Sequence, residues 1–513
     1  MRTIKFSAAL LALLLFFVVS ADAATRITLL HTNDTHSHML PFDSKQHGPD
    51  SGGIVRRAGL IEKIRQEGHE PLLLDAGDIL QGTPLYNIFM GEACYRTARA
   101  CGYDATTLGN HELDNDLANL QTQLSVTGMR LLCCNVFYRD SNRSVFEPYY
   151  IFKRNGLKIA VIGSIGNEAW EDIDRKIRAP MHQVDQTTAT GDIARRIRPY
   201  VDLIVVLSHA GLEFDKQMAA SISEIDVILG GHTHVELHQP ILVSNLPESG
   251  GWQNGLNGTI VAQTGEWGHF LGRLDLTIDT QKKITDWSGQ LLKVSAEFEH
   301  LAPQNLKSMV AAYEQKLNDI MNKIVGEAAA DMVFPKEQRK KELLPMGAFT
   351  AMSMQNTSAA DVCIVNSGAI RTDLKAGPIT RGAIFEALPY DNTVVTFTMS
   401  GLALQKMLDF VAANFGDPDG YQISGVTGIL NKNTGRAENV LVAGKPIVSD
   451  GSYRVSTTSF MANGNIAGDK LFADIQKTED SGIFMRDAAL AWLEKFNSIP
   501  DLRNTGLHLE WKN

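Results

Sequence analysis

Positive charge is in short supply in this chain of 513 residues: 48 Lys and Arg stand against 58 Asp and Glu, a formal net charge of −10. A protein that grips a nucleic-acid polymer or an anionic membrane usually carries a basic footprint, so this balance argues against both partners. It leaves room for a small nucleotide, because a few arginines or metal ions override the global field locally. Cysteine is scarce as well, with five residues and none at zinc-finger spacing. Cys94 and Cys101 lie seven residues apart in an expected helix, too far along it to bridge each other. Cys133 and Cys134 are neighbours in an expected buried strand, and Cys363 is isolated. The expectation is mostly buried thiols, with at most a cross-pair from Cys101 to Cys133 or Cys134, and an odd count leaves at least one free. Internal repeats and low-complexity tracts are absent.

Long apolar runs are missing too, except at the start. Arg2 and Lys5 precede the run Ala8–Val19, and Ala21-Asp22-Ala23 supplies small residues for cleavage, the pattern of a secretory signal over residues 1–23. The run is too short to span a bilayer. No Cys follows it to accept a lipid, and Leu507–Asn513 forms no hydrophobic tail. A periplasmic or secreted protein without a membrane anchor is expected, its mature chain starting near Ala24.

At this length two or more domains are expected, and 44% hydrophobic residues is the content of a globular protein. Residues 25 to about 295 alternate apolar, strand-like runs with helical stretches such as Gly59–Glu67 and Leu85–Ala100. That alternation implies a layered α/β domain over residues 24–295, with Phe270–Ile278 as its last strand. Over residues 296–325 a charged amphipathic helix is expected, with Pro303 suited to its first turn. Placed as a connector, it separates the first domain from a second over residues 326–513.

Five polar clusters carry the chemistry: Asp34-Thr35-His36, Gly77-Asp78, Gly109-Asn110-His111-Glu112-Leu113-Asp114, Ser208-His209-Ala210-Gly211 and Gly231-His232-Thr233-His234. Four follow runs that read as buried strands, Ile27–Leu30, Leu72–Leu74, Leu203–Leu207 and Val227–Leu229, and one follows the weaker Ala105–Leu108. Loops at the carboxyl ends of strands form the ligand crevice of an α/β sheet, so the clusters are expected to converge. Singly each is bland, an Asp capping a helix or a hydrogen-bonded surface His. Together they are a metallohydrolase signature. Two divalent ions can hold a hydroxide nucleophile between them and clamp both oxygens of an in-line phosphoryl displacement. Mixed nitrogen and oxygen ligation without thiolate suits Zn²⁺, Mn²⁺, Fe²⁺ or Co²⁺ better than Ca²⁺, with Mg²⁺ also a candidate. Asp114, three residues after His111, can fix the tautomer of that imidazole and favour its charged form, leaving the other nitrogen for phosphoryl oxygens.

In order and spacing these clusters resemble the calcineurin-like metallophosphoesterases and, more narrowly, the 5′-nucleotidase and UDP-sugar hydrolase family. The stretches Asn366-Ser367-Gly368-Ala369-Ile370-Arg371, Pro389-Tyr390-Asp391-Asn392 and Tyr453-Arg454-Val455 leading to Ala462-Asn463-Gly464 are similar as well. The resemblance implies a four-layer αββα sandwich followed by a separate mixed α/β domain that supplies the substrate pocket, the two rotating about the connecting helix. It implies one metal on Asp34, His36 and a bridging Asp78, with His234 where the family varies, and a second on Asp78, Asn110, His209 and His232. His111 and Asp114 become a catalytic dyad. Arg371 becomes a ligand for phosphate or a neighbouring oxygen, and Asn392 a residue near base or ribose. Family members hold the nucleobase between two aromatic rings. Here the first position reads Gly420-Tyr421, which puts Tyr421 one residue out of place, and the loop before the second is interrupted, with Phe472 either the second ring or core. The implied function is an exported dimetal 5′-nucleotidase acting on nucleoside 5′-monophosphates, with di- and triphosphates or UDP-sugars as further substrates. The alternatives are a 2′,3′-cyclic nucleotide phosphodiesterase and 3′-nucleotidase, a thiosulfohydrolase-like enzyme, or a non-catalytic surface binder on the same scaffold.

Overall fold

A computed structural model describes residues 24–68, 70–244, 255–416, 419–472, 475 and 477–510, and the expected signal over residues 1–23 lies outside them. The chain divides into two compact units, one ending at Val310 and the other beginning at Ala311.

Two six-stranded sheets build the first unit. In one, Thr25–Thr32, Leu72–Asp75, Ala105–Thr107 and Leu131–Leu132 run parallel, and Phe270–Ile278 pairs antiparallel with the first of them. In the other, Leu157–Ile165, Leu203–His209, Val227–Gly230 and Gly258–Ala262 run parallel, flanked by the antiparallel edge strands Tyr149–Arg154 and Ile241–Ser244. Period-two alternation sorts the side chains. Ile27, Leu29, Leu72 and Leu74 of one sheet meet Ile159, Val161, Leu203 and Val205 of the other in a shared core. The opposite face of the second sheet, with Ile162, Ile204 and Val206, packs against Ala194 and Ile197 of helix Gln186–Ile197 and Met218 of helix Leu212–Ser221. The result is the four-layer αββα sandwich. Because the central strands are parallel, their carboxyl ends share one edge of each sheet, and the polar clusters lie there.

The helices depart from the sequence pattern in instructive ways. The helical stretch Leu85–Ala100 is two helices, Pro84–Phe89 and Glu92–Cys101, broken where Met90 and Gly91 both adopt positive φ. Phe270–Ile278 is present but is not the last strand: Ile284–Lys293 pairs beside it as a largely solvated edge. Its polar, half-exposed composition gives no buried-strand signal. The stretch 296–325 resolves into a 3₁₀ turn, Ala296–Leu301, a helix, Gln304–Met321, and the start of strand Ile324–Ala328. Helix Ile54–Gln66 lies so close to the 3₁₀ turn that a Cβ on Gly59 would stand 1.8 Å from the Phe298 carbonyl oxygen, so glycine is required there.

The second unit holds a five-stranded sheet in the order Tyr421–Ser424, Val362–Asn366, Ser452–Thr458, Thr393–Ser400 and Glu479–Phe484. A three-stranded and a four-stranded sheet complete its strands. Helix Pro345–Ser358, buried along most of its length, packs on the large sheet. Among the described residues no helix is long and apolar enough to cross a membrane.

All five cysteines are buried and unpaired, so the allowed cross-pair does not form. Burial pushes the thiols of Cys94, Cys101 and Cys134 up to about 11 and that of Cys363 to about 12. The thiolate is the reactive form. A thiol-titrating reagent at pH 8 should therefore label none of the five in the native protein and all five in denaturant; rapid native labelling would contradict this packing.

Candidate functional site

Strand Leu72–Asp75 ends in a turn, Ala76-Gly77-Asp78, in which Gly77 (φ 91°) and Asp78 (φ 55°) are both left-handed. A side chain on Gly77 would meet His209 Nδ1 at 2.9 Å and the Gly109 nitrogen at 3.0 Å, so the turn is closely walled. Its backbone collects the other clusters. The Asp34 amide donates to the Gly77 carbonyl (2.9 Å) and the His36 amide to the Asp78 carbonyl (3.0 Å). His209 donates from Nδ1 to the Ala76 carbonyl (2.8 Å), and the His111 amide donates to Asp78 Oδ1 (3.0 Å). The His232 amide closes the ring by donating to Asp34 Oδ2 at 2.9 Å.

The side chains then converge. Ligand atoms of Asp34, His36 and His234 lie within 4.8 Å of one another, as do those of His36, Asp78 and His111 and those of Asp34, Asp78 and His209. His209, with Nδ1 committed to a carbonyl, turns a bare Nε2 toward Asp78 Oδ2 at 3.2 Å. His36 shares Nδ1 with the Leu80 carbonyl, and its Nε2 stands 3.2 Å from His234 Nε2. Glu266 holds the other nitrogen of His234 at 2.7 Å. Asn110 Oδ1 is buried with no hydrogen-bond partner. The His232 ring is half-buried, 5.2 Å from that of His209, and lies outside the three groups. Five of the seven proposed ligands, Asp34, His36, Asp78, His232 and His234, have positive φ, a backbone strain that the surrounding fold imposes.

The donor set fits divalent metal. Two carboxylates, imidazole nitrogens oriented by carbonyl or carboxylate partners, and an orphaned amide oxygen face one another in a buried hollow. The electrostatics agree. Burial works against a charged His209, yet Asp78 and Asp34 outweigh it and raise its pKa to about 10. His234 is likewise raised to about 10, against burial, by Asp34 and Glu266. At His36 and His232 burial outweighs the same carboxylates, and their pKa values fall. At the mouth of the hollow the His111 Nδ1 lies 2.9 Å from Asp114 Oδ2, with both side chains about a third exposed. Burial lowers and Asp78 and Asp114 raise the pKa of His111, which settles at about 9.

Two groups here carry no role in the sequence reading. Glu112, inside the Asn110 cluster, is fully buried and accepts from the amides of Asp78 (2.9 Å), Ile79 (2.9 Å), Leu80 (3.3 Å) and Gly109 (2.8 Å). Asn33 donates to Asp34 Oδ2 (2.7 Å) and to the Gly265 carbonyl (2.6 Å). An acid wedged between ligands was the available signal for Glu112, but three of its four partners lie more than thirty positions upstream.

In the second unit, a cavity of about 340 Å³ is walled by Tyr390 and Phe460, with Asn366, Asn392 and Asp419 as its polar groups. The two rings are 43% and 39% exposed, unusual for residues of this type. Arg486, buried, pairs with Asp391, and the Met485 amide donates to the Asn392 carbonyl (2.8 Å), which fixes the turn carrying Tyr390. Arg371 is exposed, its guanidinium 5.7 Å from the Tyr390 ring centroid. Of the two aromatic candidates, Tyr421 is fully buried beside Phe415, whereas Phe472 is partly buried and packs against the core, 5.0 Å from Phe397. Gly420 has no room for a side chain, since a Cβ would stand 2.2 Å from the Arg339 carbonyl oxygen. For Tyr421, burial in the sheet core, which apolar neighbours favour for any aromatic, overrides the motif position.

Replacing Glu112 by Gln leaves its four amide donors competing for one acceptor oxygen. An unsatisfied buried amide costs about 1–3 kcal/mol, so calorimetry should show a markedly lower Tm; an unchanged Tm would show that the four bonds contribute nothing.

A profile of the calcineurin-like phosphoesterases matches residues 27–236, and a profile of the 5′-nucleotidase C-terminal domain matches residues 324–472. The chain is 28% identical to the 5′-nucleotidase of Vibrio cholerae over 488 residues, 86% of each chain. It is 26% identical to the protein UshA of Escherichia coli over 505 residues, 88% of this chain and 90% of that one. The crystal structure of a 5′-nucleotidase precursor from Thermus thermophilus superposes with a TM-score of 0.62 at 26% identity, covering 95% of this chain and all of that one.

Proposed function

Since the chain belongs to the 5′-nucleotidase family, a calcineurin-like phosphoesterase domain followed by a 5′-nucleotidase C-terminal domain, and is a metal-dependent hydrolase, we propose that it is an exported enzyme that releases phosphate from nucleoside 5′-monophosphates. The carrying observation is that Asp34, Asp78, His36, His209 and His234 bring ligand atoms together in overlapping groups, each within 4.8 Å. In this reading Asp34, His36 and His234 would hold one divalent ion and Asn110, His209 and His232 a second, with Asp78 as a ligand for either. Zn²⁺, Mn²⁺, Co²⁺ and Mg²⁺ are the candidates. When bound, the ions supply Lewis acidity and positive charge to the phosphate.

The rest is the work of the chain. Asp114 engages Nδ1 of His111, which leaves the opposite nitrogen of a charged imidazole to steady the charge that phosphoryl oxygens would gain. Glu112 keeps Asp78 in register while this charge shifts. In the second unit the cavity between Tyr390 and Phe460 would receive the flat base, with Asn366, Asn392 and Asp419 along its edge, and Arg371 would bind an anionic oxygen. Activity toward 2′,3′-cyclic nucleotides is the second reading, favoured by one observation: of the ring positions expected from the motif, Tyr421 is withdrawn into the core and Phe472 is half-buried against it.

Phosphate release from AMP, GMP, UMP, ATP, UDP-glucose and 2′,3′-cyclic AMP, with metal stripped and then restored as Mn²⁺, Zn²⁺, Co²⁺ or Mg²⁺, tests both. A coupled phosphomonoesterase is added for UDP-glucose and cyclic AMP, whose direct products keep their phosphate. Metal-dependent hydrolysis of the 5′-monophosphates is the expected result, and activity confined to the cyclic ester would transfer the assignment to the second reading. His111→Asn should lower kcat by about 10²- to 10⁴-fold, the usual size of a positioned acid–base or charge-stabilising group. Tyr390→Ala should raise KM for AMP by about tenfold, the scale of one stacked base, and leave p-nitrophenyl phosphate hydrolysis unchanged. Equal effects on both substrates would refute the base pocket.

A further inference from the structure

Arg57, on helix Ile54–Gln66, is a cation in the wrong place. It is 3% exposed, no carboxylate is within hydrogen-bonding distance, and its Nε has no partner. A buried charge of this kind is costly unless something answers it. What answers it is two hydroxyls away. Arg57 donates from a terminal guanidinium nitrogen to the Tyr103 hydroxyl at 2.9 Å. Tyr103 and Thr32 share a bond of 2.7 Å, and the Thr32 hydroxyl lies 2.6 Å from Asp75 Oδ2. Thr32 donates to Asp75 and Arg57 to Tyr103, and with Asp75 as a carboxylate Tyr103 donates in turn to Thr32. Every one of these residues is at most 3% exposed. A void of about 20 Å³ beside Arg57, Asp75 and Tyr103 has room for one water and no larger ligand.

The far end of this line is the metal cradle. Asp75 Oδ1 accepts the Gly77 amide (2.9 Å), and the Thr106 hydroxyl reaches the same oxygen (3.0 Å). Gly77 and its two neighbours carry the carbonyls that hold Asp34, His36 and His209. We infer that Arg57, Tyr103, Thr32 and Asp75 form a buried hydrogen-bonded relay that positions the Ala76–Asp78 turn, so that the turn holds its ligands in metal-binding geometry. The inference rests on the reading of the hollow as a metal site. None of the four residues touches metal or substrate; they act on the site through the turn.

Tyr103→Phe removes one hydroxyl and breaks both of its bonds without changing the ring. In the metal-stripped full chain, titration calorimetry with Mn²⁺ should show affinity weakened by about 10- to 100-fold, the usual cost of losing a group that orients ligands. With p-nitrophenyl phosphate at subsaturating Mn²⁺, kcat should fall and KM stay constant. Tyr95→Phe is the control, because the Tyr95 hydroxyl is equally buried and has no partner. It should bind Mn²⁺ like the parent. If Tyr103→Phe does not fold, Thr32→Val should reproduce the loss and Thr32→Ser, which keeps the hydroxyl, should restore parental affinity. Parental Mn²⁺ affinity in Tyr103→Phe or Thr32→Val, even with a lowered Tm, would overturn the relay. A parent chain that binds no Mn²⁺, Zn²⁺ or Co²⁺ would instead overturn the metal reading on which it rests.

Discussion

Everything in the first unit's site depends on three residues of backbone, Ala76 to Asp78. Their carbonyls receive Asp34, His36 and His209, their amides are taken by the Thr32 carbonyl, Asp75 and Glu112, and a side chain of the same turn faces the His111 amide. A left-handed pair of residues is an expensive way to build a turn. Here the conformation points the carbonyls outward to neighbouring loops while the Asp78 carboxylate stays in the hollow. The ligands are therefore not a set of independent side chains that meet by chance. They are one hydrogen-bonded object with the turn at its centre.

That object explains what could be read from sequence. Strand ends were legible because buried parallel strands are written as unbroken apolar runs, and Leu203–Leu207 and Val227–Leu229 fall within the observed strands. Polar residues directly after such runs announce a crevice. The dyad was legible because His111 and Asp114 are three apart on one helical turn. The parts that escaped share a different character. Glu112 and Asn33 bond to main chain far away in sequence, and a residue whose role is to accept amides leaves no compositional mark. The break at Met90-Gly91 and the edge strand Ile284–Lys293 escaped for local reasons, a left-handed Met in one and polar alternation in the other.

The second unit shows the limit of motif position. Tyr421 sits one residue from the expected place, and in a strand one residue is the whole difference between two faces. Its ring goes into the core beside Phe415. Gly420, pressed against the Arg339 carbonyl, cannot substitute for it. The exposed rings come from two other motifs, Tyr390 on a turn anchored by the buried Arg486 and Phe460 in the helical turn Ser459–Ala462. On the proposed reading, the surface that receives the base would be drawn from other loops while the sheet beneath keeps its packing.

The proposed ligands are drawn from both sheets. Asp34, Asp78 and Asn110 follow strands of the first, whereas His209 ends a strand of the second and His232 and His234 follow another. An ion held by residues of both would be a clasp across the mouth of the sandwich, its binding free energy added to the cohesion of the two layers. At a free concentration a hundredfold above its dissociation constant, such an ion contributes about 2.7 kcal/mol to the folded state. Chelation would accordingly loosen the molecule as well as silence it, and the newly made chain is at its softest before it meets its metals.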